Sequence, residues 1–408
     1  MERRQLSALI CLFAVLVFVN PIKSAAEPNM PGVTSSSIRI GSCSALSGPA
    51  SFLGIQTQVG ALAYFHLVNS SGGVYGRNIE LKSRDDGYDP EQAPACFDLL
   101  QKDDVFAMGF FVGTPTAAKY VPLAESSKIP VVGLFTGAQM LYEPLKHDIV
   151  NVRASYFDET RDQVEHLWNV RGLRKIGVIY QDDAFGKAVL EGVQHALAKH
   201  QATPSALGTF QRNTVEVSAG IKRVRDAKPE AVVVVGPYAP VAAILKEAHA
   251  SGWYPLFLTV SFVGTESLIR AAGSDAEGVV VTQVVPPYDR TELPTIKLYR
   301  DALDKYMSGT SPSFVSLEGF VDAMVIVQAL RVAGHDLTRE KFIGAIESLH
   351  DSNMGLGRDF VLHYGPKDHK GFDSVYATVI KDGKPVVIND WTLLQGDSPA
   401  LRAMSKTQ

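Results

Sequence analysis

The sequence predicts an α/β protein of two lobes, each a parallel sheet with helices on both faces. Three observations carry this. From Ser36 onward, short apolar runs alternate with longer amphipathic ones, the rhythm of strand–helix–strand units. The chain has 408 residues, more than a single hydrophobic core normally serves. Its hydrophobic content of 46% and charged content of 20% are those of an ordered globular chain.

Taken in order, Ile38-Arg39-Ile40-Gly41 reads as the first strand, closed by the turn Ser47-Gly48-Pro49. Residues 54–69 then place Ile55, Val59, Leu62, Ala63 and Leu67 at helical spacing. Ile79-Glu80-Leu81 is the second strand. Asp89-Pro90-Glu91 predicts the next helix start, with Asp89 as N-cap and Pro90 in the first helical position. Further strands are expected at 105–111, 130–134, 175–180 and 231–236. The helices between them span 116–126, 158–171, 186–200, 215–226 and 240–251. The last third breaks the rhythm. Residues 316–332 form a long helix rich in small and apolar side chains, and 351–390 read as β-structure with turns, the tightest at Lys381-Asp382-Gly383-Lys384. No low-complexity tract or short repeat interrupts the pattern. In open parallel sheets, ligands bind beyond the carboxyl ends of the strands.

The N-terminus sets the compartment. Glu2, Arg3 and Arg4 are followed by an apolar run from Leu6 to Val19, and Ser24-Ala25-Ala26 precedes Glu27. This is the layout of a secretory signal peptide over residues 1–26, cleaved after Ala26. The run is about fourteen residues long, short of the ~20 that a spanning helix needs, so an uncleaved anchor is the weaker alternative. The expectation is an exported, soluble protein. Cleavage removes Arg3, Arg4 and Lys23 against Glu2 alone, taking the formal charge from −4 to −6. Such a surface carries no footprint for nucleic acid. Of the cysteines, Cys43 and Cys96 remain in the mature chain. Export permits a bridge between them; two buried free thiols are the alternative, and the spacing leaves both open. With no CxxC and no Cys/His cluster, no metal site is expected.

Catalytic signatures are missing: there is no GxSxG, Walker loop, HExxH or dinucleotide GxGxxG, so neither an enzyme nor a cofactor is expected. His195, His200 and His249 fall in helices. Asp85-Asp86 would point to opposite faces of an extended segment and reads as a turn, while Asp183 reads as a helix N-cap. Binding chemistry is better represented. Ser44-Ala45-Leu46-Ser47-Gly48, Gly113-Thr114-Pro115-Thr116 and Phe135-Thr136-Gly137-Ala138 each put hydroxyls and glycine where a strand meets a helix. N–H groups at such helix starts attract anions, and Thr hydroxyls both donate and accept. Each stretch can be an ordinary cap; three in succession predict a cleft.

On these and further residues the chain resembles the Leu/Ile/Val-binding family of periplasmic solute-binding proteins. The likeness runs through Ile38-Arg39-Ile40-Gly41 with Ala45-Leu46-Ser47-Gly48-Pro49, then Asn69-Ser70-Ser71-Gly72-Gly73-Val74-Tyr75-Gly76-Arg77 and Asp85-Asp86-Gly87-Tyr88-Asp89-Pro90. Asp183-Ala184-Phe185-Gly186, Gly278-Val279-Val280-Val281-Thr282 and Phe320-Val321-Asp322-Ala323 extend it along nearly the whole mature chain. The resemblance implies a periplasmic-binding-protein-like type I fold: two Rossmann-like lobes joined by three crossovers and closing on a small ligand. It implies lobe 1 over 36–157 plus 286–366 and lobe 2 over 158–285 plus 367–394.

It also implies cleft residues. The ligand carboxylate would be held by Thr114, Thr136 and nearby backbone amides, from the stretches Gly113-Thr114-Pro115-Thr116 and Leu134-Phe135-Thr136. Phe185 and Tyr238 stand where the family places aromatic side chains of the second lobe, and Leu53 and Phe320 would help enclose the apolar part. One departure stands out. Where amino-acid binders of the family carry a Glu for the ligand ammonium, this chain has Ser261. Either the ligand lacks an amino group, as an aromatic or short-chain carboxylate does, or Glu318 reaches the cleft and replaces the charge; otherwise Glu318 is a solvated helix residue. The acidic pair Asp182-Asp183 is a weaker candidate. The function so implied is capture of a small carboxylate or amino acid for the membrane permease of an ABC transporter, by a monomer. A sensory module of the same fold is the alternative.

Overall fold

The computed structural model describes residues 30–394; the leader at 1–26 lies outside the described residues. Two sheets organise the molecule. The chain first lays down β1 (Ser37–Ser44), α1 (Ser51–Ser70), β2 (Asn78–Asp85), α2 (Ala93–Lys102), β3 (Ala107–Gly109), α3 (Thr114–Ser127), β4 (Val131–Val132) and β5 (Ile149–Val150). These five strands pair in parallel in the order β2-β1-β3-β4-β5. After residues 151–155 come α4 (Tyr156–Glu165), β6 (Ile176–Gln181), α5 (Ala184–Ala198), β7 (Ala206–Phe210), α6 (Ser218–Asp226), β8 (Ala231–Val235), α7 (Tyr238–Ala250), β9 (Leu256–Thr259), α8 (Thr265–Ala272) and β10 (Val280–Gln283). The chain then returns through α9 (Pro294–Tyr306), α10 (Phe314–Ala333) and α11 (Arg339–Glu347) to the first sheet, and adds the small pair β11 (His350–Asn353) and β12 (Val361–His363). It crosses a last time to finish the second sheet with the hairpin β13 (Tyr376–Lys381) and β14 (Lys384–Val387). That sheet runs β14-β13-β10-β9-β8-β6-β7, parallel from β10 through β7 and antiparallel at the hairpin.

Each sheet is buried on both faces, which is why β8 reads Ala-Val-Val-Val-Val without alternation. In the first lobe one face packs on α1, α9, α10 and α11, through residues such as Ile40, Phe65, Tyr299, Phe320 and Leu330. The other packs on α2 and α3, through Leu100, Met108, Phe111 and Tyr120. Cys43 and Cys96 are disulfide-bonded across that face, β1 to α2, with Cα atoms 6.1 Å apart.

Several expected boundaries move. Helix α2 begins at Ala93 rather than at Asp89. Asp89 instead closes a turn: its backbone carbonyl accepts from the N–H of Gln92 and Ala93, and its carboxylate accepts from Glu91 N–H at 3.1 Å. The strands expected at 105–111 and 130–134 shorten to three and two residues. Phe110 and Gly133 adopt positive φ values of 61° and 68° and end the regular pairing there, though Phe110 N–H still donates to the Gly133 carbonyl at 3.0 Å. The helix expected to reach residue 171 changes at 166–170 to a π-helical turn. The turn at 381–384 is tight as expected, with Asp382 and Gly383 both at positive φ.

Candidate ligand-binding site

The strand ends of the first sheet build one wall. Val112 bridges to Phe135 and fixes the ends of β3 and β4 side by side. Gly113 then turns with φ 105°, and a Cβ there would lie 2.2 Å from the Tyr88 ring, so glycine lets that ring pack beneath the turn. Helix α3 starts at the next residue. The N–H groups of Thr114 and Thr116 lie in its first turn, where no intrahelical acceptor exists. Above them the Thr114 and Thr136 hydroxyls are buried and hydrogen-bonded to each other at 2.7 Å. The Tyr156 hydroxyl faces Thr136 and is buried without a partner at hydrogen-bonding geometry.

The second lobe supplies the facing wall. Asp183 caps α5, its carboxylate accepting from the N–H of Phe185 and Gly186 at 2.9 and 3.2 Å. This cap sets Phe185 at the cleft, its ring centroid 5.5 Å from Tyr156 and 4.3 Å from Phe262. Phe262 reaches across to Phe135 and Tyr88 of the first lobe, at 5.6 and 6.0 Å. Leu53 is buried against Gly264, where an added Cβ would meet it at 2.8 Å.

Charge is concentrated on Arg153, just after β5. Its Nη1 donates to Glu318 at 3.1 Å and its Nη2 to Glu159 at 3.0 Å, and Nη2 also touches the Ser261 hydroxyl. The guanidinium lies against the rings of Phe135 and Tyr156, 5.3 and 5.7 Å from their centroids. Glu159 is fully engaged: one oxygen accepts from Arg153 and Ser261 Oγ, the other from Ser261 N–H at 2.7 Å and Thr282 Oγ1 at 2.6 Å. Burial opposes the Arg153 charge, yet Glu318 and Glu159 outweigh it and hold the guanidinium protonated. Burial pushes the Glu318 carboxyl up to about 7 despite the pull of Arg153, and raises Glu159 as well.

The structure thus brings Leu53, Gly113, Thr114, Phe135, Thr136, Phe185, Ser261 and Glu318 to the space between the sheets. Glu318 is not solvated: it is 4% exposed and ion-paired. Three expected residues face elsewhere. The Thr116 hydroxyl donates back to the carbonyls of Val112 and Gly113 at 2.6 and 2.9 Å, capping its own helix. Leu134 packs into the core under α3, and Phe320 between Tyr64 and Tyr299 in the core beneath α1. Tyr238 sits at the rim, edge-on to Phe52 at 6.1 Å. Asp182 is tied to Lys187 at 3.2 Å on the surface. Sequence reasoning missed Arg153, Tyr156, Glu159, Phe262 and the cleft role of Tyr88. Arg153 and Tyr156 follow a strand end, as Thr114 and Thr136 do, but β5 has two residues and leaves no periodicity to see.

Comparison with known proteins agrees with this geometry. A family model described as periplasmic binding protein matches residues 37–385. The chain belongs to the periplasmic binding protein family. A crystal structure of a possible leucine/isoleucine/valine-binding protein from Rhodopirellula baltica superposes with a TM-score of 0.84 at 34% identity, over 88% of this chain and 98% of that one. A substrate-binding periplasmic protein from Ralstonia solanacearum gives 0.80 at 28%, over 86% and 99%. Leu/Ile/Val-binding protein homolog 3 of Brucella melitensis is 22% identical over 82% of this chain and 89% of its own. This periplasmic binding protein is of the branched-chain amino acid type, a family of solute-binding proteins and not of enzymes. Members of the family are periplasmic. Among the described residues no helix is long and apolar enough to cross a membrane.

Proposed function

We propose that this receptor captures a small carboxylate with an apolar body and no required amino group, and presents it to its permease after the leader at 1–26 is removed. The observation that carries the reading is the division of labour in the cleft. Thr114, Thr136 and the first-turn N–H groups of α3 form an anion site without a protein anion in it. Glu159 and Glu318 both answer to Arg153, and Ser261 is absorbed by Glu159. An unpaired ligand ammonium in such a closed space would be strongly disfavoured. Phe135, Tyr156, Phe185 and Phe262 offer the apolar body its walls. Binding between the lobes favours the closed arrangement, which the permease recognises. A sensory role draws no support from the relatives.

The test is a thermal-shift and calorimetric screen of ligand-stripped protein, pairing branched-chain and aromatic amino acids with their des-amino carboxylates. A true ligand at a hundred times its dissociation constant stabilises by about 2.7 kcal/mol. Preference for the carboxylates is expected, with the Thr114→Val/Thr136→Val double variant losing roughly tenfold or more, the worth of a charge-assisted hydrogen bond. Preference for the amino acids would overturn the reading and mean that Glu318 leaves Arg153 for the ligand.

A further inference from the structure

Among the described residues, Phe262 is the cleft ring whose contacts cross from the second lobe to two aromatic side chains of the first. It sits in the short turn Ser261–Val263 between β9 and α8, anchored at both ends. Ser261 before it is bonded to Glu159 through both N–H and hydroxyl. Gly264 after it takes a left-handed conformation, φ 72°, and abuts Leu53 and Phe52 of α1. The turn therefore has little freedom to withdraw, and the phenyl ring is fully buried among Phe185, Phe135 and Tyr88. Arg153 lies against both the Phe135 and the Tyr156 rings, and the Tyr156 hydroxyl faces Thr136, so Phe262 packs on the same group of residues that flanks the anion site.

We infer that Phe262 sets the length of the apolar subsite, making this a receptor for short carboxylates and acting as its specificity-determining residue. The inference rests on the carboxylate reading above. A ligand anchored by its acid group at Thr114 and Thr136 extends its chain along Phe135, and the chain meets the Phe262 ring. Neither Phe135 nor Tyr88 can retreat. The Tyr88 ring is wedged beneath Gly113, and its hydroxyl accepts from Gln181 Nε2 at 3.2 Å. The Phe135 ring is backed by the Arg153 guanidinium, which two buried carboxylates hold in place.

The experiment is calorimetric titration of wild type, Phe262→Leu and Phe262→Ala with straight-chain carboxylates of increasing length and with a phenyl-substituted series. Each methylene that finds apolar wall gains roughly fourfold in affinity. In the wild type this gain should stop after a few carbons; in Phe262→Leu it should continue further, and in Phe262→Ala further still, with aryl acids gaining most. Phe262→Leu retains most of the buried volume and keeps the test readable if the alanine variant does not fold. A plateau at the same length in wild type and Phe262→Leu would overturn the inference. Failure of the wild type to bind any member would instead overturn the carboxylate reading beneath it.

Discussion

At the scale of single residues, Arg153 is the group on which the cleft depends. One fully buried guanidinium serves two buried carboxylates from different elements, Glu159 of α4 and Glu318 of α10. Removing it leaves both anions in a low-dielectric interior, so Arg153→Met should lower stability by about 3–5 kcal/mol in urea unfolding. Glu318→Gln differs, because Glu159 still neutralises Arg153 and the amide oxygen can still accept from Nη1. Its effect should depend on pH. The Glu318 carboxyl titrates at about 7 in the folded protein, above its ordinary 4.5. An acid raised in this way contributes stability below its unfolded value and loses it as pH rises through the folded one. Glu318→Gln should therefore be close to wild type or slightly weaker at pH 5, and relatively more stable at pH 8. Asp86, raised from 3.8 to about 7 by burial and by the neighbouring charges of Asp85 and Asp89, adds a slope of the same sign. Equal shifts of Glu318→Gln at both pH values would mean that the group stays charged throughout.

Among elements, the tightest contact is between α1 and α10, which cross backbone to backbone. A Cβ at Gly60 would lie 1.8 Å from the Ser316 carbonyl oxygen, and one at Gly319 would lie 2.0 Å from that of Thr57. Neither neighbour is a flexible side chain, so Gly319→Ala should force the helices apart and cost about 1–3 kcal/mol or more, read as a lowered denaturation midpoint. The disulfide from β1 to α2 spans 53 residues, and reducing it should cost about 4 kcal/mol if the entropy of the unfolded chain dominates. The elements also show what the sequence could reveal. Strand β1, helix α1 and the β13–β14 turn are legible because periodicity or a turn pair marks them locally. Strand β4 is marked by the apolar run at 130–134 and only its length is misjudged, whereas β5 has two residues and exists through its neighbours, so no local signal announces it. The same holds at the site. Thr114 and Thr136 are legible as candidates because hydroxyls beside glycine at a strand end have a local signature, and the structure brings the two hydroxyls together. Glu159 and Phe262 gain their roles from partners about a hundred residues away, and Thr116, Leu134 and Phe320 lose theirs because side-chain direction is set by packing.

On the scale of the whole molecule, two separate sets of contacts join the two lobes. In one, Arg212 of the second lobe donates to the Tyr88 carbonyl at 2.7 Å and lies 3.8 Å from Asp89 of the first. In the other, Glu266 of α8 accepts from the N–H of Phe314 at 3.2 Å, at the start of α10, while Arg270 covers the Phe52 ring at 4.9 Å. Such contacts favour the closed form, and a receptor's apparent affinity scales with the fraction of molecules in the competent state. Arg212 is half-buried and bonds across to the first lobe, so Arg212→Ala should act on closure and leave the proposed anion site at Thr114 and Thr136 untouched. Loss of about 1.4 kcal/mol from the closed state would weaken every ligand roughly tenfold and by the same factor. Small-angle scattering of the ligand-free variant should show a larger radius of gyration than wild type, and saturating ligand should bring the two together. A change confined to one ligand would place Arg212 in the binding site instead. Unchanged affinity and scattering would mean that Arg153, at the crossing between the lobes, holds them closed without help from these contacts.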